Sequence, residues 1–88
     1  MIARMADPDL RRAVDLLAKG DWQAAHLIVQ EDDSKLAAWL HGIVHTLEGD
    51  LGNARYWYGQ AGRAFRGPEA VDEEIAAARR KADTDLAP

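Results

Sequence analysis

The sequence predicts an all-α protein, with two stacked antiparallel helical hairpins and a C-terminal capping helix. Apolar residues recur at spacings of three and four in five segments, and turn or capping residues separate these segments. No segment alternates polar and apolar residues over the length of a strand, and β-branched residues are few. We expect a single helical domain over residues 1–88, with helices over residues 8–19, 22–30, 35–48, 51–61 and 68–82.

Residues with specific backbone preferences mark the predicted helix ends. Short polar side chains can accept hydrogen bonds from the first turn of a helix, and glycine ends a helix in the left-handed conformation. The residues that play these parts are, in chain order, Asp7, Gly20, Asp21, Ser34, Gly49 and Asp50. Gly52, Gly59 and Gly62 weaken the fourth helix, which indicates either close approach of a neighbouring helix or an early end near Gly59. We expect the chain to fray from Asp83 onward.

The apolar face of the third helix predicts the centre of the core. This face consists of Leu36, Leu40, Ile43 and Leu47. Trp39 flanks it, and we expect its indole to be buried between the hairpins. In the fourth helix, consecutive side chains lie about 100° apart. Tyr58 is therefore predicted in the core, Trp57 at its edge, and Tyr56 on the opposite side as a contact residue.

Composition and charge limit the classes of function. The net charge of −4 does not favour nucleic-acid binding, and no apolar run approaches the length of a membrane span. There are no cysteines, so disulfides and thiolate metal sites are excluded. We expect a cytoplasmic protein without a cofactor. Acidic residues dominate positions 21–50, whereas Arg55, Arg63 and Arg66 occur between residues 51 and 68 without an acid. Arg55 and Arg63 are predicted to pair with phosphate or, in preference, with acids of residues 69–74.

Two segments 29 residues apart share a helix stop, an N-cap and a small residue, namely Gly20-Asp21 with Ala25 and Gly49-Asp50 with Ala54. Over residues 35–68 the chain resembles the tetratricopeptide repeat, a helical hairpin that stacks on its neighbours. The matching positions are Gly42, Gly49, Ala54, Tyr58, Ala61 and Pro68. Trp39 falls one place late, Pro68 two places late, and His41 replaces the usual leucine. The first hairpin fits only at Gly20 and Ala25.

The run from Glu48 to Tyr58, with Glu-Gly-Asp, Asn-Ala and Tyr-Trp-Tyr, also resembles a group of small bacterial helical proteins. No function is established for that group, so this resemblance bears on the fold alone. The repeat resemblance implies a groove that binds a peptide or a partner helix.

His41, His45 and Glu48 form the candidate binding site, together with Tyr56 on the fourth helix. Their spacing places the first three within about 60° on one side of the third helix, away from its apolar face. We expect this side to be exposed, with Glu48 raising the histidine pKa. A metal ion held by these residues, with His26 as a fourth ligand, is an alternative. Histidines packed against a groove or a neighbouring helix are another, and the HExxH motif is absent.

The leading functional hypothesis is a module that binds a protein or peptide. A structural homo-oligomer, such as a homodimer, is the second hypothesis, and a metal protein or enzyme that uses His41, His45 and Glu48 is the third. No hydroxyl side chain has the sequence spacing from a histidine that would indicate a nucleophile with its base. Ser34 is a predicted helix cap, and Thr46 lies within a helix. The sequence thus names no catalytic residue and leans away from an enzyme.

Overall fold

The computed structural model describes residues 8–85. It has five α-helices, α1 (Pro8–Ala18), α2 (Trp22–Val29), α3 (Lys35–Glu48), α4 (Leu51–Gln60) and α5 (Val71–Asp85), and a 3-10 turn over Pro68–Ala70. Residues 8–85 contain no β-strand. The all-α prediction is confirmed, and the bounds of the first four helices are within one residue of those predicted. Asp7, the predicted cap of α1, lies outside the described residues.

Local hydrogen bonds account for this agreement at the helix ends. Asp21, Ser34 and Asp50 each accept a hydrogen bond from the backbone N–H three residues later, at 3.2, 3.1 and 3.3 Å respectively. Gly20 and Gly49 follow α1 and α3 with φ angles of 83° and 92°, which side chains other than glycine rarely adopt. These residue types therefore predicted the helix ends without knowledge of the tertiary structure.

The C-terminal helix differs from its predicted span at both ends. Residues Pro68–Ala70, predicted as its first turn, form the 3-10 turn, and α5 proper begins at Val71. The helix continues to Asp85, although fraying was predicted from Asp83. Ala82 is buried, and Lys81 Nζ lies 3.3 Å from the carboxylate of Asp85 one turn later. Burial and an i, i+4 ion pair extend the helix beyond the predicted end.

α3 is the central helix and packs against α1, α2, α4 and α5. Ten of its fourteen residues are buried, so α3 has buried side chains on more than one side. The prediction that α3 has a single buried face is therefore wrong. α5 lies against both α1 and α3. None of the helices in residues 8–85 is both long enough and apolar enough to cross a membrane.

Close approach of two helices occurs at Gly42 of α3. A Cβ atom at Gly42 would lie 2.5 Å from Cδ1 of Tyr58, whose ring is buried against it. A Cβ at Gly59 would have no neighbour within 4 Å. Gly52 and Gly59 therefore do not admit a neighbouring helix. The alternative of an early end fits instead, since α4 ends at Gln60.

A buried carboxylate joins α5 to the rest of the core. Glu74 accepts hydrogen bonds from Nε1 of Trp39 at 2.9 Å, from the hydroxyl of Tyr58 at 2.8 Å, and from Arg66 at 2.8 and 3.0 Å. Burial alone would raise the pKa of Glu74, but the hydrogen bonds from Arg66, Tyr58 and Trp39 outweigh it and lower that pKa. The indole of Trp39 is 2 % exposed, which confirms its predicted burial.

The arginine that meets the acids of residues 69–74 is Arg66. It forms ion pairs with Glu73 at 3.2 Å and with Glu74 at 2.8 Å. Arg63 instead places its guanidinium over the ring of Trp39, 3.4 Å from the ring centroid, and Arg55 lies over Phe65 at 5.5 Å. The preferred pairing of Arg55 and Arg63 with these acids is therefore wrong, because both guanidinium groups are directed at aromatic rings.

Candidate functional site

Three histidine rings meet between α2 and α3. His41 and His45 lie one turn apart on α3, and His26 faces them from α2, which packs on α3. Nε2 of His26 lies 3.1 Å from Nε2 of His41, so one imidazole donates a hydrogen bond to the other. One ring nitrogen from each histidine can be chosen such that all three lie within 4.8 Å of one another. The structure thus brings His26 into the centre of the site, where the sequence offered it as an additional ligand.

Glu48 contacts the outer side of this histidine cluster. Its Oε1 lies 2.7 Å from Nδ1 of His45, and its side chain is 36 % exposed. His45 therefore uses Nδ1 toward Glu48 and has Nε2 available for other partners. Glu48 belongs to the predicted site, but it orients His45 and does not join the three converging nitrogens.

The histidine side of α3 is packed, so the expected exposure is wrong, and the alternative of histidines packed against a groove and a neighbouring helix fits instead. His41 is 7 % exposed, and the side chain of His45 is 12 % exposed. The indole of Trp57 on α4 covers His41 in a parallel stack, with 3.9 Å between ring centroids and 6° between the ring planes. Helices α2 and α4 cover the histidine side, and the spacing of residues within α3 does not reveal this.

Burial also reverses the predicted pKa shift of His41. Desolvation lowers the pKa of His41 to about 4, and charge interactions with the His26 and His45 rings contribute in the same direction. Glu48 was expected to raise the pKa of the histidines, but its contact is with His45. His41 is therefore a neutral imidazole at neutral pH, with one ring nitrogen carrying a lone pair.

A groove of about 530 Å³ lies beside the cluster, between the α2–α3 loop and α4. His41 and Trp57 form part of its wall, and Val29 and Ala38 add apolar surface. Its remaining lining is polar and comes from the loop and the adjoining helix ends, namely Gln30, Glu31, Asp32, Asp33, Ser34, Lys35 and Gln60. We call the segment Glu31–Lys35 the lip of the groove. Its three carboxylates outnumber its one ammonium group, so the lip carries a net negative charge. From the sequence, these acids were noted only as part of the acid-rich stretch of residues 21–50.

Tyr56 lies apart from the groove lining. Its ring is 56 % exposed, as predicted, and meets Trp57 edge-on at a centroid distance of 5.1 Å. Tyr58 is buried and Trp57 partly buried, so the predicted placement of all three aromatic residues is confirmed. Among residues 8–85, Tyr56 is connected to the histidine cluster through Trp57, which stacks on His41.

No protein-family model, curated protein or solved structure matches the chain. What the cluster and the groove can bind is therefore inferred from their own chemistry. The cluster offers imidazole nitrogens to a Lewis acid, and the groove offers carboxylates and an indole to a cation.

Proposed function

We propose that the protein is a binding module whose groove holds a basic segment of a protein or peptide partner. The observation that supports this proposal is the negatively charged lip of the groove, beside the partly apolar wall that includes Trp57. We further propose that α1–α2 and α3–α4 stack as hairpins of the tetratricopeptide type and so present this groove to the partner. The volume of about 530 Å³ falls in the range of pockets that enclose a ligand of several side-chain groups.

Two carboxylates of the lip are suited to bind the partner. Asp32 accepts a hydrogen bond from the backbone N–H of Ser34 at 2.8 Å and so supports the loop. Glu31 and Asp33 are exposed and form no ion pair with another residue of the range 8–85. A lysine or arginine in the groove would place its aliphatic stem on the partly buried indole of Trp57 and its charge between these two carboxylates.

The test is a titration of the protein with a short lysine- and arginine-rich peptide. Isothermal titration calorimetry measures the binding at low and at physiological salt concentration. We expect saturable binding that weakens with salt, and no binding of an acidic peptide of the same length. The double variant Glu31→Gln/Asp33→Asn should lose most of the affinity.

The matched control is Glu69→Gln/Asp72→Asn, which removes the same charge from exposed positions near the start of α5. This control should bind like the unchanged protein. If both double variants lost the same affinity for the basic peptide, the net charge of the protein would explain the binding. That result would refute the groove as the binding site.

A structural homo-oligomer is the alternative proposal, and one observation favours it. Leu27 on α2 and Tyr56 on α4 are large hydrophobic side chains with 64 % and 56 % exposure. Single exposed hydrophobic residues are common on monomers, so this observation carries less weight than the groove. Light scattering during size exclusion gives the mass in solution. A dimer that becomes a monomer in Leu27→Ser would support the alternative.

A further inference from the structure

We propose that His26, His41 and His45 bind one divalent transition-metal ion of the zinc class, with Glu48 as the residue that orients His45. This proposal is independent of peptide binding in the groove, because it concerns the ring nitrogens between α2 and α3. The four side chains involved all lie within the described residues.

The distances suit such an ion after a small adjustment. Zinc binds histidine nitrogens at about 2.0–2.1 Å, and two ligands of a tetrahedral ion then lie about 3.3 Å apart. Nε2 of His26 and Nε2 of His41 are 3.1 Å apart, close to one edge of that tetrahedron. The largest separation among the three nitrogens is at most 4.8 Å. Side-chain rotations that bring the most distant nitrogens about 1.5 Å closer together would close this gap.

The hydrogen bond between Glu48 and His45 matches the usual surroundings of a metal ligand. A histidine that binds a metal through one nitrogen generally donates its other N–H to a carboxylate or carbonyl, which fixes the tautomer and the ring orientation. Glu48 occupies that position at 2.7 Å from Nδ1 of His45. The lone pair of Nε2 is then directed away from Glu48.

The set of side chains brought together also favours a metal site. A hydrogen bond between two neutral histidines would account for His26 and His41, but it does not account for the third ring and its carboxylate. Because the chain offers imidazole ligands and no thiolate, zinc, cobalt, nickel and copper fit the site better than magnesium or calcium.

The groove gives an ion access to the cluster. His41 belongs to the groove wall, and His26 is only partly buried. The acidic lip raises the local concentration of cations beside this entrance. Three protein ligands leave a fourth coordination position for water or for a group of a bound ligand.

The experiment uses the full chain without a histidine tag, after removal of metal with a chelator. Zn²⁺ is titrated in competition with a chromophoric chelator, and Co²⁺ is added separately as a spectroscopic probe. We expect one equivalent of Zn²⁺ to bind, with a rise in the melting temperature. We also expect visible absorption from Co²⁺ of the strength found in four-coordinate sites.

Variants separate a metal site from a structural cluster. His26→Ala and His45→Gln should each weaken Zn²⁺ binding by more than about 100-fold, and Glu48→Gln by about 10–100-fold. Asp72→Asn, an exposed acid on α5, is the control and should leave the affinity unchanged. Circular dichroism confirms that each variant is folded.

Two results would overturn the proposal. One is the absence of saturable, equimolar binding to the unchanged protein, a measurement that does not depend on the folding of any variant. The other is Zn²⁺ affinity in folded His26→Ala or His45→Gln equal to that of the unchanged protein. In either case the three histidines are structural residues that hold α2 to α3.

Discussion

Replacement of Gly42 by alanine sets two effects of known sign against each other. Alanine favours a helix over glycine by about 1 kcal/mol, so Gly42→Ala within α3 would stabilise an isolated helix. In the protein, however, the new Cβ would lie 2.5 and 2.8 Å from two ring carbons of Tyr58 and 3.3 Å from the carbonyl oxygen of Ala54. Contacts this short require Tyr58 or the backbone of α4 to move.

The environment of Tyr58 decides which effect is larger. Its ring is 2 % exposed, and its hydroxyl donates to Glu74, so a shift of the ring also disturbs that hydrogen bond. Overpacking of a well-packed core costs about 1–3 kcal/mol, and this site belongs in the upper half of that range. After subtraction of the helix-propensity gain, Gly42→Ala should destabilise the protein by about 1–2 kcal/mol.

Gly59→Ala is the matched control. Gly59 is also helical, and a methyl group added at its Cα would have no neighbour within 4 Å, so only the propensity effect remains. We expect Gly59→Ala to stabilise the protein by about 0.5–1 kcal/mol. Urea denaturation followed by far-ultraviolet circular dichroism measures both free energies, with the slope m as a check on two-state behaviour. If Gly42→Ala stabilises the protein as much as Gly59→Ala does, the close packing of α3 on Tyr58 is refuted.

Three further predictions concern the core and its titration. Trp39→Ala should destabilise the protein by about 3–5 kcal/mol, because it removes a buried indole; an unchanged urea midpoint would show that the indole is not buried. Glu74→Gln should cost about 2 kcal/mol through weaker hydrogen bonds, whereas exposed Glu73→Gln should stay within about 0.5 kcal/mol in the same assay. The folded pKa of His41 is lowered to about 4 from 6.5, so the unfolded chain binds more protons between these values. Metal-free protein should therefore be less stable at pH 5 than at pH 7, by about 2 kcal/mol from His41; equal urea midpoints at the two pH values would contradict this.

The sequence predicted those features that depend on neighbours along the chain. Asp21, Ser34 and Asp50 act as caps wherever the helix packs, because each accepts from a backbone N–H three residues later. The alternation of core and exposed residues on α4 followed from helical geometry, since only one side of α4 is covered. Gly49 ended α3 for a similarly local reason, its positive φ.

Features that depend on the packing of several helices could not be predicted from the sequence. Residue spacing within α3 gives the direction of His41, but the number of helices around α3 emerges only in the tertiary structure. Glu74 stands among the acids that begin α5, and acids are common at this position in any helix because they interact favourably with the helix dipole. Two of its partners in the structure, Trp39 and Tyr58, are 35 and 16 residues away along the chain.

The position of Glu74 also bears on which fragments of this chain can fold on their own. If the chain were cut in the connector before Pro68 and α5 were lost, the indole N–H of Trp39 and the hydroxyl of Tyr58 would lose their common acceptor. The apolar residues Ile75, Ala78 and Ala82 would leave the surfaces of α1 and α3 uncovered. A protease that nicks this connector would therefore yield an unfolded or aggregating remnant and not a trimmed four-helix domain. Because α5 follows the other four helices along the chain, these helices lack their cover during synthesis until α5 has left the ribosome.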